Sequence, residues 1–493
     1  MTRMVVWALL LFNMADAVDQ TTRSQVGDNF ATGRSSSYVG KLLVIPMDGS
    51  HWVGMKAIAQ EMGRRGHQVT VVMPEITILI GPGEHYDTLT YPLPFDKAFV
   101  DFVMSKNEDV LQKSALPFLE RIQEKLSQIW RITELLHTTA ESLLFNASVI
   151  AHLAQQGFDA VLTDPMVPTG SLIARKLGLP TINLLRGIPC FLDMQSSGCP
   201  SPPSYVPRFF TGFTDKMDFK QRVLNTLVSM FEPLLCRVIY WRFDRIASEF
   251  LEEDVGVAEV LLDSAIWLHR IDFTLEFPRP LMPNVVPVGG INCNVRNPLP
   301  EVIWRYSGLV PDDTPENVKM MSWVPQNDLL AHPGARAFIT HAGSHGLFEG
   351  LCHAVPMVLV PIGGDQPDNA QRMASREVGV VLDISSITIG DLVQGLNEVI
   401  NNTKYKENMK RLSALHKDRP IDPLDLSVYW TEFVMRHKGA KHLQAAVHDL
   451  NWFQYFCLDV IALLATIVLL FIILTVNCLK LCFQKMSRKR KQD

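Results

Sequence analysis

Short apolar runs and longer stretches of helical spacing alternate along most of the chain. Lys41–Pro46 (KLLVIP) reads as a buried strand. The turn Met47-Asp48-Gly49-Ser50 follows, then His51 and a helical pattern through Met55, Ile58, Ala59 and Met62. Gly66 stops the helix and Gln68–Met73 (QVTVVM) resumes as a strand. Strand, helix and strand within about 35 residues make a βαβ unit, and strands apolar along their whole length imply a parallel sheet covered on both faces. The pattern recurs at Phe158–Thr163, closed by Asp164-Pro165, at the helix through Leu172–Leu177, and at the strands Thr181–Leu185 and Ala265–Leu268. Residues 102–136 and 222–260 have helical spacing, and the Pro- and aromatic-rich stretch 198–220 reads as a long functional loop.

Phe277-Pro278-Arg279-Pro280 reads as a crossing between domains. Beyond it a second series of strands is expected at Val285–Val288, Glu301–Tyr306, Val318–Met321, Ala337–Thr340, Val358–Val360 and Val378–Leu382. The expected fold class is α/β, with two facing parallel-sheet domains, 41–280 and 281–450. Ligands bind such sheets in the cleft at the carboxyl ends of the strands.

The ends of the chain read differently. Met1–Ala17, with Arg3, the apolar run Met4–Phe12 and Ala15-Asp16-Ala17, has the form of a signal peptide, and 18–40 that of a flexible lead-in. Residues 457–479 form a transmembrane helix, preceded by Trp452, Phe453, Tyr455 and Phe456 and followed by a basic tail, 480–493. Positive charge stays cytosolic, so the expected protein is single-pass type I with a luminal body. Lys489 and Lys491, fifth and third from the C-terminus, resemble a dilysine signal that returns membrane proteins to the endoplasmic reticulum. Asn146-Ala147-Ser148 and Asn401-Asn402-Thr403 are glycosylation acceptors. Cys190 and Cys199 are available to pair in an oxidising lumen, a question the sequence leaves open.

Length and composition narrow the chemistry. A chain of 493 residues suits two large domains, and 47% hydrophobic with 20% charged residues excludes a disordered or fibrous protein. A net charge of −5 gives no basic field for nucleic acid. G-x-x-x-x-G-K-[ST], G-x-G-x-x-G, Asp-x-Asp and Cys-x-x-Cys are all absent from the sequence, which removes the usual signals of ATP hydrolysis, dinucleotide redox, a metal-held nucleotide sugar and structural zinc.

The densest cluster of chemistry is Trp323-Val324-Pro325-Gln326, His341-Ala342-Gly343-Ser344-His345-Gly346, Glu349, and Asp365-Gln366. A strand, a glycine turn and a helix N-terminus make an anion site. His341 adds a donor there, Trp323 can stack a flat base, Glu349 can accept from ribose hydroxyls, and Asp365 with Gln366 can hold sugar hydroxyls. His341 and His345 also have the spacing of a metal pair, without the HExxH glutamate. Ala342-x-Ser344-x-Gly346 imitates a hydrolase nucleophile elbow, a reading that leaves Trp323, Gln326 and Asp365-Gln366 without a task.

This set resembles the UDP-glycosyltransferases and, among them, the membrane-bound vertebrate UDP-glucuronosyltransferases, over nearly the whole chain from residue 41. The resemblance implies two facing Rossmann-like domains of GT-B type. It places Trp323 and Gln326 on uracil, His341, Gly343 and His345 at the diphosphate, Glu349 on ribose, and Asp365 with Gln366 on the sugar. Asp48-Gly49-Ser50-His51-Trp52 and Leu162-Thr163-Asp164-Pro165 resemble the family's catalytic dyad, His51 with Asp164. It further implies UDP-glucuronate as co-substrate, no covalent cofactor and no metal. Its partners would be small lipophilic acceptors including xenobiotics, the membrane, and other copies or relatives in a homo- or hetero-oligomer.

One departure stands out. After Val288-Gly289-Gly290-Ile291-Asn292-Cys293 the family enters a strand, a Gly/Ser turn and a helix, whereas this chain passes through Asn294–Pro300 directly to the strand at Val302–Tyr306. It therefore lacks one β–turn–α unit of roughly 40 residues beside the diphosphate. The rival expectation is then a catalytically silent membrane protein that associates with active partners; a transferase of another UDP-sugar is a further one.

Overall fold

A computed structural model describes residues 38–108, 118–188, 190–293, 303–305, 319–321 and 324–489. The chain falls into two compact units, 1–39 and 40–493, and among the described residues every strand and helix belongs to the second. The expected signal peptide, most of the lead-in, Asn294–Pro300, Trp323 and the last four residues lie outside the described residues.

Seven parallel strands form the first sheet: β1 (Lys41–Ile45), β2 (Gln68–Pro74), β3 (Asp87–Tyr91), β4 (Ala160–Thr163), β5 (Thr181–Leu185), β6 (Ser264–His269) and β7 (Val285–Pro287). Their order is β3-β2-β1-β4-β5-β6-β7. The residues of β4, β5 and β6 are all buried, as expected of strands covered on both faces. Helix α1 (Ser50–Arg64) covers one face with Trp52, Met55, Ile58 and Met62. The other face carries α2 (Phe118–Leu144) and the 33-residue α3 (Phe219–Leu251), with Leu143, Tyr240, Phe243 and Ile246 in its core. Strand β3 escapes the apolar-run reading because it is an edge strand with only Tyr91 fully buried.

The second series is smaller. Among the described residues β8 (Ile303–Arg305) pairs with β9 (Lys319–Met321), and separately β10 (Phe338–Thr340), β11 (Met357–Leu359) and β12 (Gly379–Val381) form a parallel sheet in that order. Helices α4 (Gln326–Ala331), α5 (Ser344–Cys352) and α6 (Gln366–Ser375) alternate with these strands. β10 has a described partner on one side only, and Ile339 at its centre is 47% exposed.

Two assignments to the second domain are corrected by packing. β7 is the last strand of the first sheet, in register with β6 through Trp267↔Val285 and Leu268↔Val286. Helix α7 (Pro423–His437) returns beneath that sheet, where Val428, Val434 and Met435 join the core of Leu42, Val44 and Met55. The apolar stripe of α7 found its partner there; its ends are pinned by Arg65–Asp425 at 2.5 Å and by Lys438–Asp159. Cysteine pairing also differs from the open suggestion: Cys190 bonds Cys236 and Cys293 bonds Cys352, with Cys199 buried and free. The final helix, α8 (Leu458–Lys489), contains a 24-residue apolar stretch, Leu458–Leu481, that is nowhere buried and is long enough to cross a bilayer.

Candidate active site

The strand order of the first sheet reverses between β1 and β4, which are in register through Ile45↔Thr163. Chains leaving two neighbouring strands at such a switch point open a crevice between them. His51, in the first turn of α1, follows β1; Asp164 directly follows β4. Their side chains meet: His51 Nδ1 lies 2.6 Å from Asp164 Oδ2, and Met166 N–H donates to the other carboxylate oxygen at 2.9 Å. Gly49, at φ +80, turns the chain into α1, and the Asp48 carboxylate accepts from the N–H groups of Ile78 and Leu79 to hold that turn. Burial by itself would raise the Asp164 carboxyl; the adjoining His51 ring, the Met166 N–H and Arg270 outweigh it, so it lies below its ordinary range. A carboxylate on Nδ1 fixes the tautomer, and His51 is left with Nε2 for the cavity.

That cavity has a volume of ≈ 950 Å³. His51 and Asp164 line it, and so do Gln326, His341, Gly343, His345, Glu349, Asp365 and Gln366, which is every expected donor residue except Trp323. The loop 198–220 reaches it through Phe209 and Phe210.

The donor-side residues are held by one another. Ala342, fully buried at φ +64, turns the chain from β10 into α5, and its carbonyl accepts from Asn369 Nδ2 at 2.9 Å. The same amide nitrogen donates to Asp365 Oδ2 at 2.8 Å, so α6 locks the turn to the Asp365 carboxylate. Gln366 Oε1 accepts from Ile362 and Gly363, which leaves its amide nitrogen for a ligand. Gln326 Nε2 donates to Glu349, whose carboxyl is raised by burial, with the Gln326 bond opposing. The α5 N-terminus is capped by no side chain, so its first N–H groups are available to an anion. A Cβ on Gly343 would stand 2.5 Å from His341 Nε2. Gly343→Ala is therefore expected to push His341 aside and weaken UDP binding roughly tenfold, about 1.4 kcal/mol, measurable by calorimetric titration.

His345 departs from its expected place. Its Nε2 is taken by Arg270 Nη1, and its ring lies against α1 near Gly54 rather than being free for a phosphate. Burial first, then the neighbouring Arg270 and His51, hold it well below the ordinary histidine range, so it is neutral.

The sequence reasoning missed the cations. Arg270 and Arg186 both line the cavity. Arg270 is 7% exposed, its Nε is buried without a hydrogen-bond partner, and Asp164 and Asp365 are within its electrostatic reach. Arg186 spans Glu276 Oε1 at 2.6 Å and Asp365 Oδ2 at 3.3 Å. A signal existed: each arginine stands just past an apolar strand, at the end where ligands bind. Asp368 was missed as well. Its carboxylate accepts from Phe210 N–H at 2.8 Å and Gly212 N–H at 2.9 Å, fastening the aromatic loop to α6.

Two α/β halves sharing such a cavity are the GT-B arrangement of glycosyltransferases. Spinosyn forosaminyltransferase SpnP superposes with a TM-score of 0.52 at 16% identity, covering 81% of this chain and 100% of that one. CalG4, the calicheamicin glycosyltransferase, gives 0.50 at 17%, covering 81% and 99%. The family model described as UDP-glucoronosyl and UDP-glucosyl transferase matches residues 40–302 and 300–493, two stretches that meet where the missing unit is expected. UDP-glucuronosyltransferase 1A1 of Rattus norvegicus is 44% identical over 486 residues, covering 89% of this chain and 90% of the relative. Its Homo sapiens counterpart is 42% identical over 499 residues, covering 92% and 93%. The chain belongs to the UDP-glucuronosyl and UDP-glucosyl transferase family.

Proposed function

We propose that this chain transfers glucuronic acid from UDP-glucuronate to a hydroxyl of small lipophilic acceptors, with inversion, as a single-pass protein of the endoplasmic-reticulum membrane with its body in the lumen. One observation carries the reading: the His51–Asp164 pair and the His341–Gln366 set line one cavity.

The chemistry follows from the groups. An acceptor hydroxyl must lose its proton as its oxygen attacks the anomeric carbon, and His51 Nε2 takes it. Asp164 holds the imidazole through Nδ1 and stabilises the imidazolium that forms. The bond to UDP breaks on the opposite side of the carbon, and the growing diphosphate charge is met by the α5 N-terminus and His341. Gln326 and Glu349 serve the nucleoside with Trp323; Asp365 and Gln366 hold the sugar. A single displacement turns an α-linked donor into a β-glucuronide, using one base and no metal. Phe209 and Phe210 present an apolar wall to the acceptor.

Arg270 supports an acidic sugar over a neutral one, because a buried guanidinium with an unpartnered Nε suits a carboxylate. Arg270→Leu should lower the rate with UDP-glucuronate relative to UDP-glucose by roughly 10–100-fold, the scale of one charge-assisted bond. An unchanged ratio would remove this role. The function itself is tested with microsomes carrying the chain, labelled UDP-glucuronate or UDP-glucose, and a simple phenol. Glucuronide must form and must depend on His51.

A second reading, a catalytically impaired chain that works by association with active copies or relatives, draws on β10 having a partner on one side only among the described residues and on the two-stretch family match. Chains that neither make product nor gain protease resistance with UDP would favour it.

A further inference from the structure

Asp365 stands at the start of α6 as its N-cap residue, yet its side chain makes no capping bond to that helix. An aspartate in this place ordinarily accepts from an N–H of the first turn. Two other groups hold it instead. Asn369 Nδ2 donates to Oδ2 at 2.8 Å, and Arg186 Nε lies 3.3 Å from the same oxygen. Among the described residues nothing bonds to Oδ1, and Asp365 lines the cavity. An ionised carboxylate only accepts, so that oxygen is left for a donor on a ligand. Arg186 directly follows β5 and is itself fixed from behind. Its Nη2 donates to Glu276 Oε1 at 2.6 Å, and Glu276 Oε2 lies 3.0 Å from Arg372 Nε, two turns further along α6.

We propose that Arg186 is a positioning residue for the donor sugar, holding the Asp365 carboxylate so that Oδ1 meets a sugar hydroxyl. This rests on the proposed role of Asp365 in binding the sugar. The terminal torsion of an aspartate is broad, so a single bond from Asn369 sets the plane of the carboxylate only loosely. A second, charge-assisted bond from a fixed guanidinium narrows it. The two bonds come from different parts of the fold. Asn369 shares α6 with Asp365, whereas Arg186 belongs to the first sheet, so the grip on the sugar is completed from the side that carries His51. The neighbours of Arg186 give this placement a use. Leu185 and Gly187 line the same cavity, and a Cβ on Gly187 would stand 3.3 Å from Phe209 Cζ. One strand end therefore steadies Asp365 and backs the aromatic wall proposed for the acceptor. Sugar and acceptor are referred to a common rigid point, which favours a constant distance between the attacking oxygen and the anomeric carbon.

The test uses the full chain in detergent, titrated with UDP and, separately, with UDP-glucuronate in the absence of acceptor. The quantity read is the dissociation constant of UDP-glucuronate divided by that of UDP. Arg186→Gln should raise this ratio about tenfold while UDP affinity stays within about twofold of the parent, because UDP carries no sugar for Asp365 to hold. Arg186→Lys keeps a cation beside Glu276, which protects the fold, and should lie between the parent and Arg186→Gln. Asp365→Asn should raise the ratio as far as Arg186→Gln does. Adding Arg186→Gln to Asp365→Asn should then change it by less than about twofold, the sign that the arginine acts through the carboxylate. Additive losses, an unchanged ratio in Arg186→Gln, or equal losses of both ligands in Arg186→Gln and Arg186→Lys would overturn the proposal and leave the parent's donor binding intact. A parent chain that fails to bind UDP-glucuronate would overturn the proposed function along with it.

Discussion

His51→Ala is expected to lower turnover by roughly 10²–10⁴-fold while UDP binding stays within about twofold of the parent. In the proposed mechanism the imidazole takes the acceptor proton and the proposed donor set comes from other segments of the chain, so removing the ring should cost the chemical step and spare the nucleotide. Asp164→Asn should fall in the same range. The amide keeps the shape of the 2.6 Å contact but no longer favours the tautomer that leaves Nε2 as acceptor, nor the imidazolium that follows. Turnover at saturating donor, read beside a UDP titration, separates these expectations from simple misfolding. Parental turnover in His51→Ala would end the proposed mechanism.

Glu276→Ala is expected to have the largest effect on stability. This carboxylate is 4% exposed and sits among arginines: Arg186 at 2.6 Å, Arg372 at 3.0 Å, and Arg279 and Arg376 within electrostatic reach. Removing this anion takes from Arg372, and in part from Arg186, the carboxylate that meets them inside the protein, a loss of about 3–5 kcal/mol, or roughly 6–20 °C in Tm. The pH dependence carries the same signature. Burial raises the Glu276 carboxyl and the arginines, Arg186 foremost, pull it down, from an ordinary 4.5 to about 2. A depressed folded-state value gives stability that is complete above pH 4.5 and is lost as pH falls toward 2. Glu276→Gln should therefore flatten the melting-temperature curve over that window relative to the parent. A curve as steep as the parent's would show that the cluster does not contribute.

The parallel strands β1, β4, β5 and β6 were legible because burial on both faces forces near-continuous apolar runs. The place of His51 and Asp164 was legible in part: each follows such a strand, at the ligand end of a sheet, but their pairing was implied by the family resemblance alone, and the strand pattern did not say that β1 and β4 are neighbours. What stayed hidden depends on contacts between distant segments. Nothing in VVP at 285–287 says which sheet it joins, and the stripe of α7 does not name its partner. Arg186 and Arg270 look like ordinary surface cations until the fold buries them over the cavity. Asp368 is one acid among several on α6, and only the approach of Phe210 and Gly212 gives it a task. Cys190 lay nearer in sequence to Cys199 than to Cys236, and α3 reversed that preference by bringing Cys236 alongside.

The fastening at Asp368 has a consequence for how this protein changes over time. The aromatic loop is the natural place to vary when a new acceptor is to be accommodated. Yet two of its backbone amides are tied to the helix that begins with Asp365 and Gln366, the residues proposed to hold the sugar. A loop remodelled for a bulkier guest would tug on the grip for the nucleotide sugar, so new tastes should evolve through side chains at 209 and 210 while the peptide path between 208 and 213 is kept.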